Sequence, residues 1–445
     1  MEHLEKLLVT GGNRLNGSVS VSGAKNVALK VLVAACLTDE EVIIHNIPLI
    51  SDVFVMIKII EDLGGKVTIH DHTARVRVTN FRKNKISLDQ ASHIRTSSMF
   101  LAPLLLRNKQ AVIPNPGGCR LGARPIDRTV DGLAQMGADI SYNRDDGFFY
   151  ASADLLKGIH YKFEKNTHTG TETLIISAVL AKGKTILENA AAEPEVDELI
   201  AMLNSMGAKI KRVEERKIEI EGVDKLHGAE ITIKPDRNEI VTFAIAGIIT
   251  KGDIHIQGAR RNGLREFLEK LDEAGGGYEE KEDGIRFYYK GPLKATSVTT
   301  APYPGFMTDW QAPWAVLMTQ AEGDSIIHET IFSNRFGYVN ELRKMGAKID
   351  FLNPRVDNPA SFYNFNLSDD QPGFFHAIKI HGPTSLHDAV VSISDLRAGA
   401  SLVIAALAAR GETVIHGVHL IDRGYEQFEE RLQQLGANIK RTYEE

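Results

Sequence analysis

The chain has 445 residues, 43% apolar and 25% charged, with a formal net charge of -6 at neutral pH. That length exceeds one ordinary core and predicts two or three domains of a globular protein, and the acidic balance argues against a general nucleic-acid binder. Two cysteines make no disulfide framework, MEHLEKLLVTGG lacks the pattern of a secretory signal, and the best apolar run, 28–37, is too short to cross a bilayer, so the cytoplasm is expected.

In chain order, Gly23-Ala-Lys-Asn26 precedes an apolar helix beginning at Val27. Lys25 and Asn26 then stand at a helix N-terminus, where free N–H groups and the dipole favour anions. Asn26 could equally be an N-cap and Lys25 a solvated charge. Cys36 lies on the same apolar helix and reads as core. His93-Ile-Arg-Thr-Ser-Ser98 is expected to open another helix. The dipole disfavours a cation there, so a bound anion is the better reason for Arg95. Ser97 and Ser98 are expected to satisfy backbone groups.

A strand-like run, 110–113, leads into Pro-Asn-Pro-Gly-Gly-Cys-Arg-Leu-Gly-Ala-Arg-Pro-Ile-Asp-Arg at 114–128. Glycine and proline at this density make an irregular loop. Cys119 lies between Arg120 and Arg124, and positive neighbours favour the thiolate. A helical pattern starts at Asp127, and an arginine-rich loop entering a helix suits an anion. The residues therefore point to a reactive thiol beside an anionic substrate.

Further on, Thr308-Asp309-Trp-Gln311 precedes an apolar helix. Asp309 is either its cap or a general base for a hydroxyl substrate. Asn334-Arg335-Phe336 follows a strand, Asp395-Leu396-Arg397 starts a helix, and Asp422-Arg423 precedes the last one. Each arginine could instead be a surface ion pair of small net value. No HxxxH or CxxC spacing occurs, so no structural metal is expected. No Walker loop or dinucleotide fingerprint occurs, and no cofactor is expected.

One step recurs throughout: DLGGKV, QMGADI, SMGAKI, EAGGGY, KMGAKI and QLGANI, with first glycines at 64, 137, 207, 275, 346 and 436. Glycine suits the left-handed C-terminal end of a helix, and the aliphatic residue after it opens a strand. A small-residue helix, a polar turn and an alternating strand precede each copy. A unit of about 70 residues thus occurs six times, which predicts two domains of three units with a boundary near residue 233. The last spacing, 90, predicts an insertion in the last unit, within 351–375, as a surface excursion.

GAKN at 23–26, PGGCRLGARPID at 116–127, DWQA at 309–312, NRF at 334–336, DLRAGA at 395–400 and IDRGYE at 421–426 resemble the UDP-N-acetylglucosamine 1-carboxyvinyltransferases, a branch of the enolpyruvyl transferase family. The resemblance covers nearly the whole chain. It implies an α/β fold of two inside-out α/β barrel domains, each of three βαβαββ repeats, with the site in the interdomain cleft. The domains would be 21–233, carrying the Cys119 loop, and 1–20 with 234–445. It implies transfer of enolpyruvate from phosphoenolpyruvate to the 3-hydroxyl of UDP-N-acetylglucosamine, with phosphate released. Cys119 would protonate the phosphoenolpyruvate methylene and Asp309 would take the hydroxyl proton. Lys25, Asn26, Arg124, Arg397 and Arg423 would bind phosphoenolpyruvate. Arg95, Arg124, Pro125, Ile126, Asp127, Arg128, Lys165, Thr167, His168, Asp309 and Ile331 would meet the sugar nucleotide. No obligate protein partner is implied, and no membrane insertion.

The sequence departs from that family where the nucleotide would lie. Thr167-His168-Thr169-Gly170-Thr171 replaces a usual Ser-Val-Gly-Ala-Thr, Arg128 replaces leucine, and Asn238-Glu-Ile-Val-Thr242 replaces Ile-Glu-Thr-Gly-Thr. The departures leave two alternatives: a paralogue with another acceptor such as UMP, or a catalytically silent sugar-nucleotide binder. A shikimate acceptor fits less well, because the cysteine loop is not that branch's pattern.

Overall fold

The computed structural model describes residues 5–117 and 126–443. All six recurring glycines lie in the left-handed region, with φ between +80° and +110°. Each follows a helix by one residue, and the closing bonds repeat. Gly64 N–H reaches the Glu61 carbonyl at 2.9 Å, and Gly65 N–H reaches Ile60 at 2.9 Å. Gly436 and Ala437 do the same to Gln433 and Leu432, at 2.9 and 3.0 Å. This double closure satisfies carbonyls that the helix leaves open, and it needs a residue without a Cβ penalty at positive φ. The strand expected after each glycine follows, at Lys66, Asp139, Lys209, Gly277, Ile349 and Asn438.

The described strands form six sheets, five of them built on one plan, while the one begun by Gln110–Pro114 has three strands and only a single parallel bridge, Lys85 to Val112, in place of the edge strand. A central strand pairs in parallel with an edge strand on one side. On its other side it pairs antiparallel with the near strand of a hairpin. In the sheet of Val42–His45 the near strand is Thr73–Arg77, the outer one is Lys66–His70, and the parallel edge is Glu230–Thr232. Edge strands come from a different repeat than the strands they join. His160–Lys162 leaves the second repeat to pair with Lys184–Glu188 of the third. The sixth sheet is completed from the start of the chain. Glu5–Thr10 lies between Glu412–His416 and Asn438–Tyr443, taking the place of a hairpin's near strand. Asn16–Ser20 then forms the parallel edge of the sheet centred on Asp253–Gln257.

The helix that opens each repeat is apolar nearly all round, and such a helix must be enclosed. All 13 residues of Arg237–Ile249 are buried, as are 12 of 13 in Leu396–Ala408 and 10 of 11 in Lys25–Ala35. Helices Arg237–Ile249, Gln311–Met318 and Leu396–Ala408 pack on one another. Their sheets lie outside them, with burial alternating along Asp253–Gln257, where Ile254 and Ile256 are wholly enclosed. Each fully buried Leu or Ile of such a helix contributes roughly 1.5–3 kcal/mol.

The described residues fall into two compact units, 23–117 with 126–234, and 5–22 with 235–443. Each has its own apolar core. The expected insertion lies where it was placed, within one residue of 351–375, but it belongs to a different repeat. Four hairpins turn through two to four residues, whereas residues 353–376 separate Ile349–Leu352 from Ala377–Gly382. The excursion therefore belongs to the fifth repeat's hairpin, not to the last repeat. The spacing assigned it to the last repeat because that hairpin follows the fifth glycine.

Candidate functional site

In the unit containing 235–443, a short 3-10 turn, Thr308–Trp310, feeds the buried helix Gln311–Met318. Asp309 stands in the middle of that turn. Its Oδ1 accepts from Arg335 Nη2 at 3.0 Å, and its Oδ2 lies 3.5 Å from Arg397 Nε and Nη2. Neither arginine is more than 4% exposed, whereas the Asp309 side chain is 22% exposed. The N-cap of the helix Gln311–Met318 is Trp310 and no side chain caps it, so the reading of Asp309 as helix cap is overturned. Its carboxylate faces two guanidinium groups that approach from 26 and 88 positions further along the chain.

The helix bearing Arg397 is capped by Asp395, which accepts N–H bonds from Arg397 and Ala398 at 3.0 and 3.1 Å. The cap fixes where Arg397 leaves the helix. The guanidinium lies 5.3 Å from the Tyr425 ring centre, and its Nη1 is buried without a hydrogen-bond partner. Burial opposes the charge of Arg397. The Tyr425 phenol and the Asp309 carboxylate beside it outweigh that and raise its pKa, so the cation persists. An orphaned guanidinium donor beside a reachable carboxylate suits an anionic group brought next to a hydroxyl.

A residue that the sequence did not single out organises this site. Glu329 is fully buried and accepts four hydrogen bonds. Oε2 takes the Thr308 hydroxyl at 2.9 Å and the Gln311 amide at 3.1 Å. Oε1 takes the N–H groups of Ile331 and Phe332 at 2.8 and 3.1 Å. Glu329 therefore ties both flanks of Asp309 to the segment carrying Ile331. Its one sequence signal is a carboxylate among apolar and small residues at a strand end. Asn238 accepts from the Trp310 indole at 3.0 Å, and Thr242 bonds the Tyr425 hydroxyl at 2.8 Å. The altered stretch 238–242 thus packs under the site. Arg423 is half-buried, and its neighbour Asp422 is gripped at both oxygens by Arg441, at 2.7 and 2.8 Å.

In the unit containing 23–234, Lys25 is the first residue of its helix and is 8% exposed. Its Nζ lies 2.7 Å from Asp52. The N-cap is Ala24, so the solvated-charge reading of Lys25 and the capping reading of half-buried Asn26 both fail. Arg95 opens a 3-10 stretch, Arg95–Phe100, after an extended break at Ile94, and the α-helix starts only at Leu101. A continuous helix from His93 is therefore not formed. Ser97 and Ser98 donate to the Ile94 and Arg95 carbonyls, as expected.

Thr167 caps the helix His168–Ala178, accepting from Gly170 N–H at 3.2 Å. His168 Nε2 lies 3.2 Å from Glu172, and Lys30 Nζ lies 3.0 Å from the other Glu172 oxygen. Lys165 is half-buried. Ile126 is buried before the helix Asp127–Gln135, Asp127 is exposed, and Arg128 is half-buried with its carbonyl accepting from the Tyr161 hydroxyl at 3.2 Å. Cys119, Arg124 and Pro125 lie outside the described residues. Cys36 is fully buried, and burial pushes its thiol up to about 12, an unreactive core group. Among the described residues no His, Cys, Asp and Glu cluster could hold a metal, and no helix is long and apolar enough to cross a membrane.

Helices enclosed by sheets, with a reachable carboxylate held between two buried arginines, define an α/β protein with a cationic site. The family model of EPSP synthase (3-phosphoshikimate 1-carboxyvinyltransferase) matches residues 9–432. The UDP-N-acetylglucosamine 1-carboxyvinyltransferase of Koribacter versatilis is 43% identical, covering 99% of this chain and 97% of its own. That of Methylacidiphilum infernorum is 41% identical over 99% of both. Among solved structures, the enolpyruvyl transferase NikO from Streptomyces tendae superposes with a TM-score of 0.85 at 24% identity, over 100% of both chains. The chain belongs to the enolpyruvyl (1-carboxyvinyl) transferase family, whose six-repeat α/β fold it shares.

Proposed function

We propose that this enzyme transfers enolpyruvate from phosphoenolpyruvate to the 3-hydroxyl of UDP-N-acetylglucosamine, the first committed step of peptidoglycan synthesis, in the cytoplasm. The observation that carries the acceptor is the 43% identity, over 99% of this chain, to a relative named for that reaction. The chemistry is supported by Asp309 between two buried arginines, one with a spare donor.

In this reading the 3-hydroxyl oxygen attacks C2 of phosphoenolpyruvate while C3 takes a proton from the Cys119 thiol. Asp309 accepts the hydroxyl proton. A tetrahedral intermediate results that still carries phosphate. Loss of a proton from C3 and of phosphate from C2 restores the vinyl group. Arg397, with Lys25, Asn26, Arg124 and Arg423, would hold the phosphate and carboxylate and stabilise the charge that develops. Arg95, Arg128, Lys165, Thr167, His168 and Ile331, with 124–127, would contact the sugar nucleotide. Residues 23–234 would form one enolpyruvyl transferase domain, and 5–22 with 235–443 the other. The Cys119 thiol would also be the point of alkylation by fosfomycin.

The test is phosphate release from phosphoenolpyruvate with UDP-N-acetylglucosamine, UMP or shikimate offered separately. Release with the sugar nucleotide is expected. Release with UMP alone would reassign the acceptor, and no release with any of the three would reject transferase activity on them.

A further inference from the structure

The 24 residues 353–376 fold into a compact annex with its own small core. Tyr363, Phe365 and His376 are each no more than 8% exposed, and their ring centres lie 4.9–5.2 Å apart. His376 is anchored by Asp370 at 3.1 Å and by Asn353, which accepts its N–H at 2.9 Å. A loop folded this tightly costs ordering entropy that a two-residue turn would not.

The annex grips one place. Asn364 N–H donates to the Thr330 carbonyl at 2.7 Å, and the His376 carbonyl accepts Glu329 N–H at 2.7 Å. The Tyr363 hydroxyl meets His328 Nε2 at 3.0 Å. Three consecutive residues, 328–330, are thus held from the annex. Thr330 is held on its other side by Thr300, through two bonds of 2.6 and 2.8 Å. The next bonds run from Glu329 to Thr308, Gln311 and the N–H groups of Ile331 and Phe332. A continuous hydrogen-bonded path therefore links the annex to both sides of Asp309.

We propose that residues 353–376 are a brace for the Glu329–Phe332 segment, with Tyr363 as its positioning residue, and that the brace sets acceptor affinity beside Asp309. The second half of this statement rests on the proposed function. Displacing reacting groups by about 1 Å costs on the order of 100-fold in rate, so a segment flanking the base warrants rigid support.

The experiment uses the full chain in three forms: wild type, Tyr363→Ala and Tyr363→Phe. Two quantities are read, steady-state constants for each substrate and amide exchange of the peptide covering 329–332. Tyr363→Ala is expected to raise the acceptor KM about 10-fold, leave the phosphoenolpyruvate KM within about twofold, and speed exchange at Ile331 and Phe332. Tyr363→Phe keeps the ring packing and should recover most of the acceptor KM. Unchanged exchange in Tyr363→Ala would overturn the brace whatever the enzyme's substrate proves to be. Faster exchange with an unchanged acceptor KM would overturn its link to affinity, and an equal rise in both KM values would reduce it to a general structural role. If wild type used none of the acceptors, the proposed function would fail while the exchange result still decided the brace.

Discussion

Two carboxylates in this protein are each held between two cations, and they have opposite fates. Glu172, in the unit 23–234, lies between Lys30 and His168 and is wholly buried. Asp309, in the other unit, lies between Arg335 and Arg397 and keeps 22% of its side chain exposed. Glu172 sits inside a helix, four residues from His168, whereas Asp309 sits on the 3-10 turn that leads into one. Lysine and histidine are compact partners. An arginine has five donors, and Arg397 retains one that nothing in the described protein uses. Buried polar atoms without a hydrogen-bond partner occur in both clusters, at Arg397 Nη1 and at both Glu172 oxygens, so the difference teaches that a buried ion cluster becomes a candidate site through access, not through charge alone.

The strongest way to break this comparison is at Asp309. Asp309→Asn should lower kcat by about 10²–10⁴-fold. Asp309→Glu keeps the charge between the arginines but moves the oxygen, and should lose about 100-fold in kcat with little change in urea midpoint. Wild-type turnover in either variant would return Asp309 to a purely structural role. Cys119→Ala should abolish turnover and alkylation by fosfomycin together. Turnover that survives it would assign the C3 proton to another group.

Glu172→Gln probes the opposite fate. It leaves Lys30 buried without its carboxylate and should cost about 3–5 kcal/mol in urea unfolding. If stability is unchanged and acceptor KM rises instead, Glu172 serves the His168 contact to the sugar nucleotide and not the core, and the contrast fails. A smaller effect is expected from Arg397→Lys, which removes the planar fork but keeps the charge. The phosphoenolpyruvate KM should rise about 10-fold, with acceptor KM unchanged.

The smallest effect is a pH dependence. Burial would lower the His168 pKa, but Glu172 beside it raises it above its ordinary 6.5. Burial would raise Glu172, but His168 and Lys30 hold it below its ordinary 4.5. The His168 share of stability is complete below about pH 6.5 and is lost as pH rises through the raised value. The Glu172 share is complete above about pH 4.5 and is lost as pH falls through the lowered value. The stability gap between wild type and Glu172→Gln should therefore be widest between about pH 4.5 and 6.5 and narrow on either side. A gap that is flat with pH would show that His168 contributes nothing to the cluster.

Much of the architecture was legible because it is written in local chemistry. A left-handed glycine after each helix needs no tertiary context, and all six are where the repeat placed them. What closes the sheets was not legible. Nothing local in His160–Lys162 or Glu230–Thr232 says that they will pair with another repeat's strand. The site divides the same way. A residue's placement beside a helix start could be read, but partners 26 and 88 positions away could not, so Asp309 read as either a cap or a base. Glu329 escaped notice because its value comes from four donors that folding brings to it.

The strand Glu5–Thr10 has a consequence for how the chain is made. Lys6 pairs with His416 and Leu8 with Lys440, more than 400 positions later. At about 5–20 residues per second, the ribosome finishes those partners roughly 20–80 s after the first strand emerges. Residues 23–234 can close their three sheets during that wait, because every strand they need lies within them. A strand made more than 400 residues before its partners is therefore integrated only after them. Until then it is an unpaired apolar strand, and it is the place where a nascent chain of this enzyme is most exposed to aggregation or to chaperone capture.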